Sequence, residues 1–449
     1  MTNVLILMSD EHNFRVSSVY AHTMVDTPNM DRLAAEGVVY DAAYCPSPLC
    51  APSRSSLMSG LPVHQNQVYN NCSVMQFEHP SYGSELDRQG IYSAYIGKTD
   101  VYRSGVELGF TEMISPGDRK PPGDINFSRQ PLSVRDDGAA RADGYGVKDD
   151  AFARDTRNVD QAVAWLSDTA PRLDLPWTLT VNINAPHFPH FVTADLWEKY
   201  RDSADLPSHG ADAESANHPY ALDLRKHFQT DAISADQARG LRRGYLGGVD
   251  FVDAQLGRLL DVLEATGQRD GTVVAYASDH GEMLGKFGMW WKCSMYEDSV
   301  RVPLIMSGPD FARGTRIGTP VSLLDLQSSM FRATGAERPN HWWGTPLQDV
   351  TGDDPDRIAF AEYHGHGTRS GSFMIRKGDW KLLYHAAAPH QLFDLSIDPE
   401  ELENRYETEP ETASDLEAEL RQLCSPELEN RRAHDFEHAQ MASLNRTSA

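Results

Sequence analysis

At 449 residues the chain exceeds what one hydrophobic core usually supports, and a composition of 40% hydrophobic and 24% charged residues argues against disorder over most of its length. Its 41 basic and 65 acidic residues give a net charge of -24, which speaks against nucleic acid as a partner, because phosphate backbones need clustered Lys and Arg. Five scattered cysteines (Cys45, Cys50, Cys72, Cys293 and Cys424) make neither a disulfide framework nor a zinc-type C-x-x-C pair, and no apolar run nears the roughly 20 residues that cross a bilayer.

The apolar run at residues 3–8, followed by Ser9, Asp10, Glu11 and His12, reads as a buried parallel strand ending in polar groups. It has no basic leader and no small-residue cleavage site, which points to a cytoplasmic setting and no membrane. Residues 29–37 read as a helix closed by Gly37, and 53–60 as a helix that starts after Pro52. A short strand at 91–96 precedes Gly97-Lys98. Residues 112–150, rich in Gly, Pro, Asp and Arg, read as a long surface excursion of a kind that often carries function. A helical pattern covers 151–167, and a strand over 177–183 ends at Asn184-Ala185-Pro186-His187. One or two amphipathic helices fill 234–266, and an apolar strand at 272–277 stops at Ser278-Asp279-His280-Gly281. Strands alternating with helices predict an α/β unit with a large, mainly parallel sheet over 1–345. A smaller α+β subdomain is expected over 346–449, with short antiparallel strands at 373–375, 381–384 and 391–394, a helix at 410–424 and a polar tail.

Ligands in open α/β sheets collect beyond the carboxyl ends of the strands. This chain sets Asp10-Glu11, Gly97-Lys98, His187 and Asp279-His280 at such points. One carboxylate or histidine there is more often a cap or a satisfied core group; four together point to a site. Asp10, Asp279 and His280 provide two hard oxygens and one imidazole, which suits calcium or magnesium ahead of zinc. Cys50-Ala51-Pro52-Ser53-Arg54 puts a cysteine at a helix start with an arginine one turn on, and both favour negative charge on sulfur. The plainer alternative is a small buried apolar residue.

Cys50-Ala51-Pro52-Ser53-Arg54, with Leu57, Ser59 and Gly60 behind it, resembles the C-x-P-S-R signature of the sulfatases. The likeness runs through the whole chain: Asp10, Gly97-Lys98, Pro186-His187-Phe188-Pro189, Ser278-Asp279-His280-Gly281-Glu282, Trp291-Lys292 and Tyr296-Glu297-x-Ser299-x-Arg301-Val302-Pro303. The resemblance implies an alkaline phosphatase/sulfatase-like fold and hydrolysis of a small-molecule sulfate ester. It implies that Cys50 becomes formylglycine through a formylglycine-generating enzyme, and that one hydroxyl of its hydrate attacks sulfur. Calcium, with magnesium or manganese as alternatives, is then expected on Asp10, Asp279, His280 and the modified Cys50. Lys98 and Lys292 are expected to clamp the sulfate, Arg54 to orient the hydrate, and His187 to protonate the leaving oxygen.

A narrower likeness, to the arylsulfatase K group of glucuronate-2-sulfatases, rests on Gly97-Lys98-Thr99-Asp100, Lys292 to Tyr296, Ala361-Glu362-Tyr363-His364-Gly365, Gln391 to Asp394 and Asn217-His218-Pro219. It implies an O-sulfated sugar or uronic acid as substrate, with aryl sulfates as model compounds. Substrate contacts are expected at Lys98, Asp100, His218, Lys292 and His364, with Tyr69, Asn70 and Asn71 beside them and either Arg154 or Arg301 for a carboxylate. Asp100 stands where many sulfatases carry a histidine, which leaves the base that expels sulfate open; Glu11 stands where many have a second ligating aspartate. Three other readings compete: a phosphonate monoester or phosphodiester hydrolase of the same superfamily, a catalytically inactive sulfatase-like binding protein, and a thiol or zinc enzyme that would leave the two lysines without a purpose.

Overall fold

In the computed structural model, which describes residues 2–72, 77–101, 105–120, 122–203 and 205–447, the apolar run that opens the chain lies inside an eight-stranded sheet. Its strands in chain order are β1 (Asn3–Asp10), β2 (Gly37–Tyr40), β3 (Tyr92–Gly97), β4 (Glu112–Ile114), β5 (Trp177–Pro186), β6 (Thr272–Ser278), β7 (Leu304–Ser307) and β8 (Thr315–Ile317). Their spatial order is β8-β2-β7-β6-β1-β5-β3-β4, and only β7 runs against the others. β1 pairs in parallel with β5 on one side and β6 on the other, so Leu5 lies level with Leu179 and Val274. A central strand buried on both faces needs apolar residues at every position, which is why residues 3–8 show no alternation.

Helices cover both faces. On one side Leu5, Leu7, Leu179 and Val181 meet α3 (Ala153–Asp168) and α4 (Ala235–Ala265) through Val159, Leu166, Leu256 and Leu263. Residues 234–266 thus hold one helix of 31 residues, opened by a capping box in which Ser234 and Gln237 satisfy each other's backbone N–H. On the other side Ile6 and Met8 share a core with Leu326 and Met330 of α5 (Leu323–Thr334).

The antiparallel C-terminal sheet is formed by β9 (Ile358–Tyr363), β10 (Ser372–Lys377), β11 (Trp380–His385) and β12 (Gln391–Asp394). Its strands alternate in the two-residue period of a covered sheet. Met374 and Leu383 face the same core as Met330, while Phe373, Ile375 and Leu382 face α6 (Pro410–Leu423) through Ala413, Leu416 and Leu420.

Two local expectations change. The helix expected over residues 29–37 is α1 (Pro28–Ala35), and Gly37 begins β2 instead of closing it. A Cβ on Gly37 would stand 2.1 Å from the Met306 carbonyl oxygen, so the glycine lets β7 approach. The expected polar tail is a helix, α7 (Pro426–Thr447). It docks along the narrow stripe Glu429, Ala433, Glu437 and Gln440, where three of four buried residues are polar, so hydropathy does not reveal it. Within 112–150, short elements at β4, Gly138–Arg141 and Tyr145–Val147 punctuate otherwise irregular described chain. No helix among the described residues is long and apolar enough to cross a membrane.

Candidate active site

The site begins with a helix, α2 (Cys50–Ser59), that is buried along its entire length. Its interior position explains a sequence of small residues (Ala51, Ser53, Ser55, Ser56, Ser59): elements pack against it from every side. Pro52 sits in the first turn, where its missing N–H costs nothing. Asn71 accepts from the Ala51 N–H at 3.0 Å, capping that turn. The helix ends at Gly60, at φ 67 with Trp342 packed where a side chain would begin.

The N-terminus of α2 points Cys50 at the carboxyl ends of β1 and β6. Cys50 is 1% exposed, and its Sγ lies 3.1 Å from His280 Nε2 and 3.9 Å from Asp10 Oδ1. Asp10, Cys50, Asp279 and His280 each present one ligand atom, all within 4.8 Å of one another. Two carboxylates, an imidazole and the residue-50 position form a hard, anionic donor set, and such a set fits a divalent cation. All four residues are buried, so bulk solvent does little to screen the charge of the cluster.

Three cations surround it, one from α2 itself and two from other parts of the chain. Arg54 donates from Nε to Asp279 at 2.8 Å and from Nη2 to Asp10 at 3.2 Å. Its Nη1 reaches Asn182 Oδ1 at 2.7 Å and the Lys98 carbonyl at 3.3 Å. The guanidinium therefore fixes the carboxylates, with every nitrogen engaged. The Lys98 ammonium donates to Asp10 and stands 3.7 Å from Asp100. Asp100 itself accepts from Arg119 Nη2 at 2.8 Å, and its other oxygen lies 2.6 Å from Arg119 Nε in the same ion pair. Burial raises the Asp100 pKa, but Arg119 and Lys98 outweigh it and hold the carboxyl well below its usual range, so it is ionised.

Lys292 enters from the opposite side. Its Nζ donates to Glu11 at 3.0 Å and to His187 Nε2 at 2.7 Å. His187 Nδ1–H donates to the Phe188 carbonyl, which leaves Nε2 free to accept. Asp10, Glu11 and His187 form a second close donor group, and the Lys292 ammonium already supplies its positive charge. Burial and the Glu11 charge push Glu282 well above the usual carboxyl range, so it stays protonated against Glu11. For Cys50, burial and Asp10 raise the thiol pKa, yet Lys292, Lys98 and His280 prevail and pull it well below the ordinary thiol value.

Four non-glycine residues with left-handed backbone flank these groups: Glu11 (φ 66), Asp100 (φ 60), Trp291 (φ 65) and Cys293 (φ 77). Strain of this kind gathers where side chains must be aimed against local preference.

The structure thus brings Asp10, Cys50, Arg54, Lys98, Asp100, His187, Asp279, His280 and Lys292 together. It does not bring His218 or His364 into hydrogen bonding or ion pairing with any of them. His218 caps the helix Pro219–Phe228 through Nδ1 and donates from Nε2 to the Pro389 carbonyl at 2.9 Å. His364 is 2% exposed, with Nε2 2.9 Å from Glu362 and its ring against Tyr69 and Phe373. Asn70 bonds Gln440 of α7 at 2.8 Å. Arg301 pairs with Glu297 at 3.2 Å and stacks 3.8 Å over Phe14, away from Cys50. Arg154 reaches over Gly117 toward Lys98. Sequence reasoning missed Asn182 and gave Glu282 no role beyond its place in a motif; Asn71, expected beside the substrate, caps α2 instead. Asn182 carries a signal, as an amide inside the expected strand over 177–183. Sequence reasoning did not foresee Arg141, whose guanidinium lies 5.2–5.6 Å from the Phe188, Trp291 and Phe228 rings beside His187 and Lys292.

Comparison with known proteins gives the family. The Sulfatase family model covers residues 2–336, and the model for the C-terminal region of N-sulphoglucosamine sulphohydrolase covers 285–427. The chain is 32% identical over 424 residues to choline-sulfatase of Rhizobium meliloti (strain 1021), spanning 90% of this chain and 82% of that protein. It is 27% identical over 470 residues to arylsulfatase K of Xenopus laevis, spanning 98% and 86%. Among solved structures, one holding D-glucosamine-2-N,6-O-disulfate superposes with a TM-score of 0.75 at 21% identity, covering 94% of this chain and 97% of the other. The phosphonate monoester hydrolase of Agrobacterium radiobacter gives 0.73 at 23% identity, covering 94% and 95%. With the family model spanning three quarters of its length, this chain belongs to the sulfatase family and is a sulfuric ester hydrolase.

Proposed function

We propose that the enzyme cleaves the sulfate ester of a small saccharide, with residue 50 as the source of the nucleophile and a calcium ion beside it. The observation that carries this reading is the convergence of Asp10, Cys50, Asp279 and His280 within 4.8 Å while Lys98 and Lys292 approach from opposite sides. Asp10, Asp279, His280 and the residue-50 side chain would hold the ion, which supplies a Lewis acid for the sulfate oxygens. Oxidised to formylglycine by a generating enzyme, residue 50 supplies a hydrated aldehyde whose hydroxyl serves as nucleophile.

The remaining work falls to side chains of this chain. Lys98 and Lys292 set two ammonium groups on either side of the sulfate, offsetting charge that grows as the ester bond breaks. Both stay protonated: burial opposes their charge, but Asp10 holds Lys98 above the ordinary lysine range, and Cys50 and Glu11 do the same for Lys292. Arg54 keeps Asp10 and Asp279 aimed at one point. His187 Nε2, 22% exposed on its side chain and within reach of Lys292, lies where the departing alcohol oxygen would be bound. Asp100, locked by Arg119, orients Lys98 instead of taking a proton.

The sugar preference draws on two structural neighbours, one solved with its substrate D-glucosamine-2-N,6-O-disulfate and one described as a 2-O GAG sulfatase. The test is mass spectrometry of the peptide over residues 46–54 from the native host, combined with rates on sulfated sugars, aryl sulfates and aryl phosphonates. Conversion of Cys50 lowers that peptide by about 18 Da, from the atoms exchanged at the thiol carbon. An active native protein that keeps an unmodified thiol sinks the formylglycine reading. Faster turnover of phosphonates than of every sulfate ester sinks the substrate reading.

A further inference from the structure

Resting on the sulfatase reading above, we propose that the cavity beside His187 is a subsite for the leaving alcohol, shaped for a sugar that carries an anionic group of its own. The cavity holds about 260 Å3. That is close to the lower bound of ordinary ligand pockets, about 300 Å3, and suits a single ring. His187 forms part of its wall, and the same imidazole accepts from Lys292. A group in the cavity is therefore one side chain away from the sulfate-binding lysines, as a leaving alcohol must be.

Two wall residues have unused capacity. His190 is 2% exposed; its Nδ1 donates to the Pro186 carbonyl at 3.2 Å, and its Nε2 is buried without a partner. A neutral imidazole with Nδ1–H committed leaves Nε2 as an acceptor. A buried acceptor without a donor is costly, and a sugar hydroxyl supplies that donor. Arg154 is exposed and makes no hydrogen bond or ion pair among the described residues. A Cβ on Gly117 would lie 1.9 Å from Arg154 Nη2 and 3.1 Å from Lys98 Cα. The missing side chain at Gly117 is what lets the guanidinium lie at the junction of cavity and centre.

The other charges in the wall are answered. Asp155 accepts from the backbone N–H groups of Asn184 and Ala185 at 2.9 and 2.7 Å, and Lys148 pairs with Asp150 at 3.3 Å. Arg154 is therefore the uncommitted charge facing the ligand. In a protein of net charge -24, a lone guanidinium at this spot selects a carboxylate or second sulfate and opposes a cationic alcohol. Phe152, Phe191 and Pro189 add apolar surface for the C–H faces of a ring.

The test compares wild type with Arg154→Ala and Arg154→Lys on three esters: 2-O-sulfated glucuronate, a disulfated hexosamine and a neutral aryl sulfate. Loss of one charge-assisted contact predicts that Arg154→Ala lowers the ratio of kcat/KM for an anionic sugar ester to that for the aryl ester by about tenfold, mainly through KM. Arg154→Lys restores part of the ratio. Whether the glucuronate or the disulfate shows the larger change separates carboxylate from sulfate recognition. An unchanged ratio for both sugars overturns the subsite. Calorimetry of glucuronate and of glucosamine 6-sulfate with Cys50→Ala distinguishes the two layers. Binding that depends on Arg154, with no ester hydrolysed by the native enzyme, keeps the subsite and removes the sulfatase reading. Ester hydrolysis with no dependence on Arg154 does the reverse.

Discussion

The centre around Asp10 and the seam around Lys381 are both buried, both ionic, and both join distant parts of the chain. In the seam, Lys381 Nζ donates to Glu297 and Glu401 at 2.8 Å each. The second oxygen of Glu297 takes Tyr44 and Arg301 at 3.2 Å, and the second oxygen of Glu401 takes the Glu297 N–H at 2.8 Å. Every oxygen is satisfied, and the cluster ties the C-terminal sheet to the rest of the protein. Around Asp10, by contrast, four ligand atoms converge on one point, and Lys98 and Lys292 both reach toward it. Burial and charge are common to both. Convergence of metal-type ligand atoms, with cations aimed at them, marks the site.

Several measurements can break that contrast. The largest effect should come from chelation: exhaustive EDTA treatment lowers ester hydrolysis to background, and added calcium restores it. A cation at 100 times its Kd adds about 2.7 kcal/mol of stability, so the chelated protein also melts earlier. Activity that survives chelation removes the cation from the centre. Next, Lys292→Ala should lower kcat/KM about 10^3-fold, in the range seen when one electrostatic stabiliser is removed; a loss under tenfold would take Lys292 out of the sulfate clamp. In the seam, Lys381→Met leaves two buried carboxylates without their cation and should cost about 3–5 kcal/mol in urea unfolding, while KM of the folded fraction stays unchanged.

Acid should separate the clusters further. Burial raises the Glu297 pKa, but Lys381 and Arg301 bring it down to about 2, against an ordinary value of 4.5. Its stabilising contribution is therefore complete above 4.5 and drains away as pH falls toward 2. Glu401, raised by burial despite Lys381, titrates in the opposite sense above that interval. Unfolding free energy should then fall more steeply between pH 4.5 and 2 in the wild type than in Glu297→Gln; equal slopes would contradict the assignment. The smallest effect belongs to a pair whose cation is open to solvent. Arg88, with its side chain 66% exposed, meets Glu85 at 2.8 Å, and Arg88→Ala should shift stability by less than about 0.5 kcal/mol.

The positions of Asp10, Lys98, His187, Asp279 and His280 were legible in the sequence because each directly follows an apolar strand, and a parallel sheet gathers its strand ends. Cys50 and Lys292 were legible from short motifs. What escaped depends on which distant elements touch. Asn182 meets Arg54 only because β5 lies beside β1. Glu282 acts on Glu11, which lies at the far end of the chain, and Asn71, expected at the substrate, caps α2. His364 looked available within its motif, yet Glu362, fully buried, binds both it and His64. The fold followed the same rule. Strand and helix periods gave the α/β core, whereas α7 has too few apolar residues to announce a docked helix.

The burial of α2 has a consequence for the order of events during synthesis. Asn71 caps the start of α2, and its neighbour Asn70 is held by Gln440 of α7. Roughly 390 residues separate Cys50 from Gln440. At about 5–20 residues per second, the ribosome needs roughly 20–80 seconds to cover that distance. During that time the nascent chain offers Cys50 to any other enzyme; once α7 has docked, it no longer does.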